Sequence, residues 1–236
     1  GDIAVGSVDA GAAGSVILDA SAAGEILDAA ADAVVDITAA SIDLDAATGV
    51  GATAGRQLET SRGNTAYTVD STAGNIDIDH TAVGAAVSVG ALNTGGTGTI
   101  NFDQTGAQAL TITSSTTNHG TITITNDDGN LTATSVTAGN AGDVSLTTTT
   151  SGNVLLGSVD ATGDQITINS AGAIDDATAA NNTNDLVAAT IDLTAASGGI
   201  GQNNGSVDTN ATVSLSAHTT ADKGSIHLYE TAGAGA

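Results

Sequence analysis

Gly98-Thr-Ile100-Asn-Phe102 returns as Gly120-Thr-Ile122-Thr-Ile124, as Gly142-Asp-Val144-Ser-Leu146 and, with Asp for Gly, as Asp164-Gln-Ile166-Thr-Ile168. The leading apolar residues stand at 100, 122, 144 and 166, a step of 22 residues each time. A second series lies between them at Leu110, Leu131, Val154 and Ile174, with steps of 21, 23 and 20. Apolar and polar residues alternate within most units, which is the period of a strand with one buried face. A fixed period in this range marks stacked repeats. Two short strands per 22 residues, turned at Gly, Asn and Asp, make one coil of a β-solenoid. Each strand then pairs in parallel with its equivalent one coil on. Ile, Val, Leu and Ala are expected inside. Thr, Asn, Asp and Ser are expected outside, where β-branched Thr fits a pleated surface.

Composition agrees. The aromatic residues of the 236-residue chain are Tyr67, Tyr229 and Phe102, and Pro is absent. A slim coil has little room for rings, and a ladder that uses its N–H groups has little place for Pro. The Ala-rich run from Ala20 to Ala40 also admits an amphipathic helix over Glu25 to Ile37. Its counterpart later in the chain is interrupted by Asn181-Asn182-Thr183-Asn184, which favours the coil reading.

A larger repeat lies above the coil. Gly6-Ser-Val-Asp-Ala10 equals Gly157-Ser-Val-Asp-Ala161, and Ala39-Ala-Ser-Ile-Asp-Leu44 matches Ala188-Ala-Thr-Ile-Asp-Leu193. Gly49-Val-Gly51 matches Gly199-Ile-Gly201, Leu58-Glu-Thr60 matches Val207-Asp-Thr209, and Gly74-Asn-Ile-Asp-Ile78 matches Gly224-Ser-Ile-His-Leu228. The offset is about 150 residues, and such nesting implies duplication within a tandem array. Residues 1–150 and 151–236 are therefore read as partial copies in one continuous solenoid, residues 1–236. Gly1 lies in mid-pattern and neither end reads as a cap, so the chain is expected to be cut from a longer repetitive protein. Residues 50–66, 198–212 and 176–185 are rich in turn formers and are expected to bulge from a corner of the coil.

The balance of 26 acidic and 3 basic residues argues strongly against a nucleic-acid phosphate binder, because only Arg56, Arg62 and Lys223 are available to neutralise a polyanion, so nucleic acid is not an expected partner. It also argues against anionic membrane surfaces. No Cys is present, so neither disulfides nor thiol chemistry enter. No apolar run is long enough to span a bilayer.

The run Gly172-Ala-Ile-Asp-Asp176, with Leu186-Val-Ala-Ala-Thr-Ile-Asp-Leu193, Gly199-Ile-Gly201 and Gly224-Ser-Ile-His-Leu-Tyr-Glu-Thr231, resembles the filamentous-haemagglutinin-type adhesins and related β-strand-repeat giant bacterial surface proteins or exoproteins. The first half of the chain carries the same signatures. The resemblance implies a right-handed parallel β-helix, secreted and acting as a long shaft. The right hand also follows from the general preference of parallel crossovers.

Candidate chemistry is sparse. His80, His119, His218 and His227 form no i, i+4 pair and are read as solvated, outward residues. Asn126-Asp127-Asp128-Gly129-Asn130 and Asp175-Asp176 are the best local sets of oxygen ligands for calcium, but an Asn-Asp-Asp-Gly run is also an ordinary tight turn. Gly95-Gly-Thr-Gly-Thr99 starts like a calcium nonapeptide and then places Ile100 where Asp belongs. Asn118-His119-Gly120 and Asp127-Asp128 faintly echo polysaccharide-cleaving β-helices, yet the basic partner and Trp platform of such sites are missing nearby. The sequons at Asn130, Asn181, Asn204 and Asn210 occur at the rate chance supplies. The expectation is therefore an all-β solenoid with no catalytic, cofactor or metal residues to nominate. Its expected role is a structural shaft or filament at a cell surface or outside the cell, with self-association end to end and neighbouring surface glycans as the partners to test. The alternative is a carbohydrate-binding or weakly calcium-binding extracellular module.

Overall fold

Ile3 pairs with Ile26, Ile26 with Val50, Val50 with Ile76, and the same column continues through Ile100, Ile122, Val144, Ile166, Ile191 and Leu215. A computed structural model of the chain describes residues 1–62, 66–178, 183–220 and 224–231. All strands in it belong to one hydrogen-bonded system, and among the described residues every strand pairing is parallel. Among the described residues there is no helix. The Ala-rich run resolves into the strands Ser15–Ala20, Glu25–Asp28 and Ile37–Thr38. Stacking settles the matter: Glu25–Asp28 has strand neighbours on both sides, which an isolated amphipathic helix would lack.

The column has ten rungs and therefore nine steps. The step is 22 residues from Ile100 to Ile166, as the period required, and lengthens to between 23 and 26 on either side. A second column runs Val87, Leu110, Leu131, Val154, Ile174, Ile200 and Ile226. Ile100, Phe102, Ile122, Ile124, Val144, Leu146, Ile166 and Ile168 all lie inside at 0–1% exposure. Burying each such side chain stabilises the coil by roughly 1.5–3 kcal/mol.

The glycines that lead the units stack as well. A Cβ on Gly120 would lie 1.9 Å from the carbonyl oxygen of Gly98, and one on Gly142 would lie 2.3 Å from that of Gly120. The backbones approach at the corner more closely than any side chain permits, which is why Gly recurs there.

The columns also show what the 150-residue repeat does. Ile3, Ile26, Val50 and Ile76 open the first column, while their repeat-mates Val154, Ile174, Ile200 and Ile226 close the second. Val154 falls between rungs Val144 and Ile166 of the first column. The repeat is thus about six and a half coils, and successive copies present their features on alternate columns of the solenoid.

Two of the expected bulges are smaller than their composition suggested. Residues 51–57 and 201–206 are excursions, whereas Leu58–Ser61 and Val207–Thr219 have returned to the ladder. In the third, residues 177–185, positions 179–182 lie outside the described residues. Its counterpart in the first copy, residues 29–35, is an excursion.

Candidate functional site

In the first copy two excursions lie one above the other, because Ile26 pairs with Val50 below them and Ile37 pairs with Thr60 beyond them. Asp28 ends the strand that leads into the lower excursion, Asp36 stands where it closes, and Glu59 enters from the next coil. Asp28 is fixed by its own loop: Oδ1 accepts from the Ala30 amide at 2.7 Å and Oδ2 from the Asp32 amide at 3.0 Å. Asp36 grips the neighbouring coil twice. Its amide donates to the Glu59 carbonyl at 2.8 Å, and its Oδ2 accepts from the Glu59 amide at 3.1 Å. One carboxylate oxygen from each of Asp28, Asp36 and Glu59 lies within 4.8 Å of the other two. Asp28 and Asp36 are only 1% and 2% exposed. Glu59 Oε2 is buried with no hydrogen-bond partner.

Burial, and secondarily the neighbouring Asp28 charge, pushes Asp36 up to about 6. Burial and contact with Asp36 push Glu59 up to about 7. Asp28 moves the other way, because the Ala30 amide favours its ionised form.

The second copy rebuilds the corner with Asp176, Asp185 and Asp208. Asp176 Oδ1 accepts from the Thr178 amide at 2.7 Å, as Asp28 does from Ala30. The Asp185 amide donates to the Asp208 carbonyl at 2.8 Å, and Asp185 Oδ2 accepts from the Asp208 amide at 2.9 Å. The three side chains are 0%, 1% and 3% exposed. Asp176 Oδ2 and Asp185 Oδ1 are buried without a partner. Burial, with the charges of Asp176 and Asp208, pushes Asp185 up to about 7. The copies differ in closure. Asp208 Oδ1 accepts from the Ser206 hydroxyl at 2.9 Å, and among the described residues only the first copy brings three such oxygens within 4.8 Å.

Each upper excursion is tied to an acid on the coil below. Glu25 accepts from the amide and hydroxyl of Thr53 at 2.7 and 2.8 Å. Asp175 accepts from the Gln202 amide at 3.0 Å and from the Asn203 side chain at 2.7 Å. The Arg56 guanidinium donates to the Asp28 main-chain carbonyl at 2.7 Å, and Asn204 does the same to that of Asp176 at 3.0 Å. Beside the first corner, a cavity of about 210 Å³ is lined by Glu59, Asp79, His80 and Asp103 among others. Burial and the stacked like charges push Asp79 and Asp103 up.

Of the four imidazoles, one is placed differently from the expectation. His80 is not outward: it is 1% exposed and lies inside the coil. Its Nε2 donates to the Arg62 carbonyl at 2.8 Å, so Nδ1 is the acceptor for Tyr67, whose hydroxyl also meets Thr60. The ring lies 5.3 Å from Tyr67, edge on, and 6.3 Å from Phe102. Burial pushes His80 down to about 4. His119, His218 and His227 are exposed, as expected.

The Asn126–Asn130 turn does not converge on a ligand. Asn126 faces inward at 0% exposure and donates from Nδ2 to the carbonyls of Gln108, Gly129 and Asn130, each at 3.1 Å. Asp127 and Asp128 point away and accept from the hydroxyls of Thr149, Thr150 and Ser151. Asp175 and Asp176 diverge too, one to the excursion above and one to the corner. Asn118 and His119 sit on an exposed turn. Of the sequons, Asn130 and Asn204 are exposed, Asn210 is half-buried, and Asn181 lies outside the described residues, as does Lys223.

Asp28, Asp36, Glu59, Asp185 and Asp208 were not nominated from the sequence. A trace was present there, since Leu58-Glu-Thr60 and Val207-Asp-Thr209 keep a carboxylate between apolar and hydroxyl residues. Comparisons with family models, with curated proteins and with solved structures find no match for the chain.

Proposed function

We propose that the chain is a structural segment, the shaft of a large secreted or cell-surface protein of the adhesin type, and that its role is reach or filament formation. The observation that supports this reading is the unbroken column from Ile3 to Leu215, in which each rung is the template for the next. Such a coil grows by adding rungs, within one chain or by head-to-tail stacking of copies, and heterologous stacking of that kind gives fibres. The outward acidic surface supports solubility of a long, repetitive object. Nine steps of about 4.8 Å give a rod of roughly 43 Å per chain.

Sedimentation and negative-stain imaging of residues 1–236 test the reading. Slender rods that lengthen with concentration are expected. Compact, non-associating particles would overturn it. A glycan array separates it from the carbohydrate-binding alternative: a uniformly flat response is expected, and saturable binding to one glycan class would replace the shaft with a recognition module.

A further inference from the structure

We propose that each acidic corner is a site for a hard divalent cation of the calcium class, held by Asp28, Asp36 and Glu59 in the first copy and by Asp176, Asp185 and Asp208 in the second. Three observations carry this. The first is convergence. Carboxylate oxygens from two successive coils lie within 4.8 Å of one another in the first corner. Oxygens on opposite sides of a calcium ion, at bonds of about 2.3–2.6 Å, are separated by about 4.6–5.2 Å, so the three fit one coordination sphere. The donor set is all oxygen, which suits a hard cation and not a thiolate- or imidazole-seeking metal.

The second observation is unmatched oxygen. Asp176 and Asp185 are fully buried, and each keeps one carboxylate oxygen, Oδ2 and Oδ1 respectively, with no donor. In the first corner Glu59 Oε2 likewise has no donor, on a side chain that is half-buried. Buried carboxylates are retained where something pairs with them. The Arg56 guanidinium spends its contact on the Asp28 main-chain carbonyl, and Asn204 takes that place in the second copy. The position therefore serves the backbone and does not neutralise the cluster.

The third is duplication. Three hydrogen bonds of the corner recur, the amide two residues on to Asp28 or Asp176 and the paired bonds of Asp36 or Asp185 with the next coil, and all three carboxylates recur with them, even where Glu59 becomes Asp208. Around them the residues change: Leu27 corresponds to Asp175, Ile37 to Leu186 and Arg56 to Asn204. A purely steric role in closing the excursion does not require three carboxylates in both copies. The half-coil offset then sets the two cations on alternate columns of the solenoid. The sites stand whether or not the coil serves as a shaft.

The rival occupant is a proton shared between carboxylates, and the test separates the two. Residues 1–236, freed of metal with a chelator at pH 7.5, are titrated with calcium chloride and, in parallel, magnesium chloride. Isothermal titration and thermal melting are the readouts. Saturable calcium binding at two sites is expected, tighter at the more closed first corner, with a midpoint below about 10 mM and a rise in Tm. Asp36→Asn should remove the first site alone, Asp185→Asn the second alone, and the double variant both, together with the calcium-induced rise. Should Asp36→Asn fail to fold in chelator, Glu59→Gln takes its place. No saturable binding at about 10 mM calcium would overturn the proposal. So would binding that persists unchanged in the double variant, which would place the ions on the outward Asp ladders.

Discussion

Gln104, Asn126, Thr148 and Ser170 in the middle of the coil, and Asp28, Asp36, Asp176 and Asp185 at its two acidic corners, are all polar groups taken out of water where the chain bends. Their circumstances are otherwise opposite. In the middle, Thr60, His80, Gln104, Asn126 and Thr148 occupy successive rungs of one inner column. The turn that follows each rung leaves carbonyls facing inward, and the column supplies donors to them. Gln104 donates to the Gln108 carbonyl at 3.0 Å, Thr148 to that of Gly152 at 3.0 Å and Ser170 to that of Ala173 at 2.8 Å. Neutral amides and hydroxyls can be satisfied this way at little cost. The corners present carboxylates, which have no proton to give to a carbonyl, and three of their oxygens are unmatched, against Gln104 Oε1 in the inner column. In one place side-chain donors serve bend carbonyls, and in the other carboxylates serve backbone amides and keep spare oxygens that call for a partner.

The comparison breaks first on the hydrophobic columns that both regions share. Ile122→Asp puts an unpaired charge between Ile100 and Val144 and should cost about 4 kcal/mol or more by urea unfolding. An effect near zero would mean that the register is wrong by one. Next comes the exchange of chemistry between the regions. Asn126→Asp turns three donated bonds into oxygen facing oxygen and should cost about 3 kcal/mol in the same assay. If that variant were as stable as the parent, the inner column would be decoration.

His80 gives the comparison a pH axis. Its ring is faced by Tyr67, Thr60, Phe102 and the Arg62 carbonyl, with Gln104 on the next rung. Burial holds it at about 4, below the value near 6.5 of the unfolded chain. Above pH 6.5 neither state is charged there, so nothing is lost. As pH falls from 6.5 to 4 the unfolded chain takes up a proton that the folded chain refuses, and stability drops by about 3 kcal/mol. His80→Gln should remove that component of the pH profile. An unchanged profile would show that another group carries it.

A smaller effect, of opposite sign, is expected at the corner. In chelator, Asp185→Asn keeps an oxygen for the Asp208 amide and removes the charge of a carboxylate whose Oδ1 is buried without a partner, so it should raise stability by about 1 kcal/mol. A loss of similar size would show that the charge is supported without a cation. The smallest effect belongs to the outer face: Thr123→Lys, half-exposed between two buried isoleucines, should stay within about 0.5 kcal/mol.

The columns were legible in the residues themselves. A period of 22 brings like onto like, and apolar residues two apart can share a face only if the chain is extended, so Ile100, Ile122, Val144 and Ile166 had one possible arrangement. The 150-residue repeat was equally plain. Three things were decided by the tertiary structure. The half-integral count of coils depends on the excursions, whose lengths change the step without changing the motif. The inward turn of His80 and Asn126 continues the alternation of Ile76 and Ile78, and of Ile122 and Ile124. Their polar character hid it, because a side chain that feeds a bend carbonyl looks in sequence like one that meets water. The corners were hidest of all from a local reading, since Asp28, Asp36 and Glu59 meet only when one coil has closed upon the next. Neighbours along a strand are set by the chain, but neighbours across coils are set by the length of the circuit, and that length is fixed by packing.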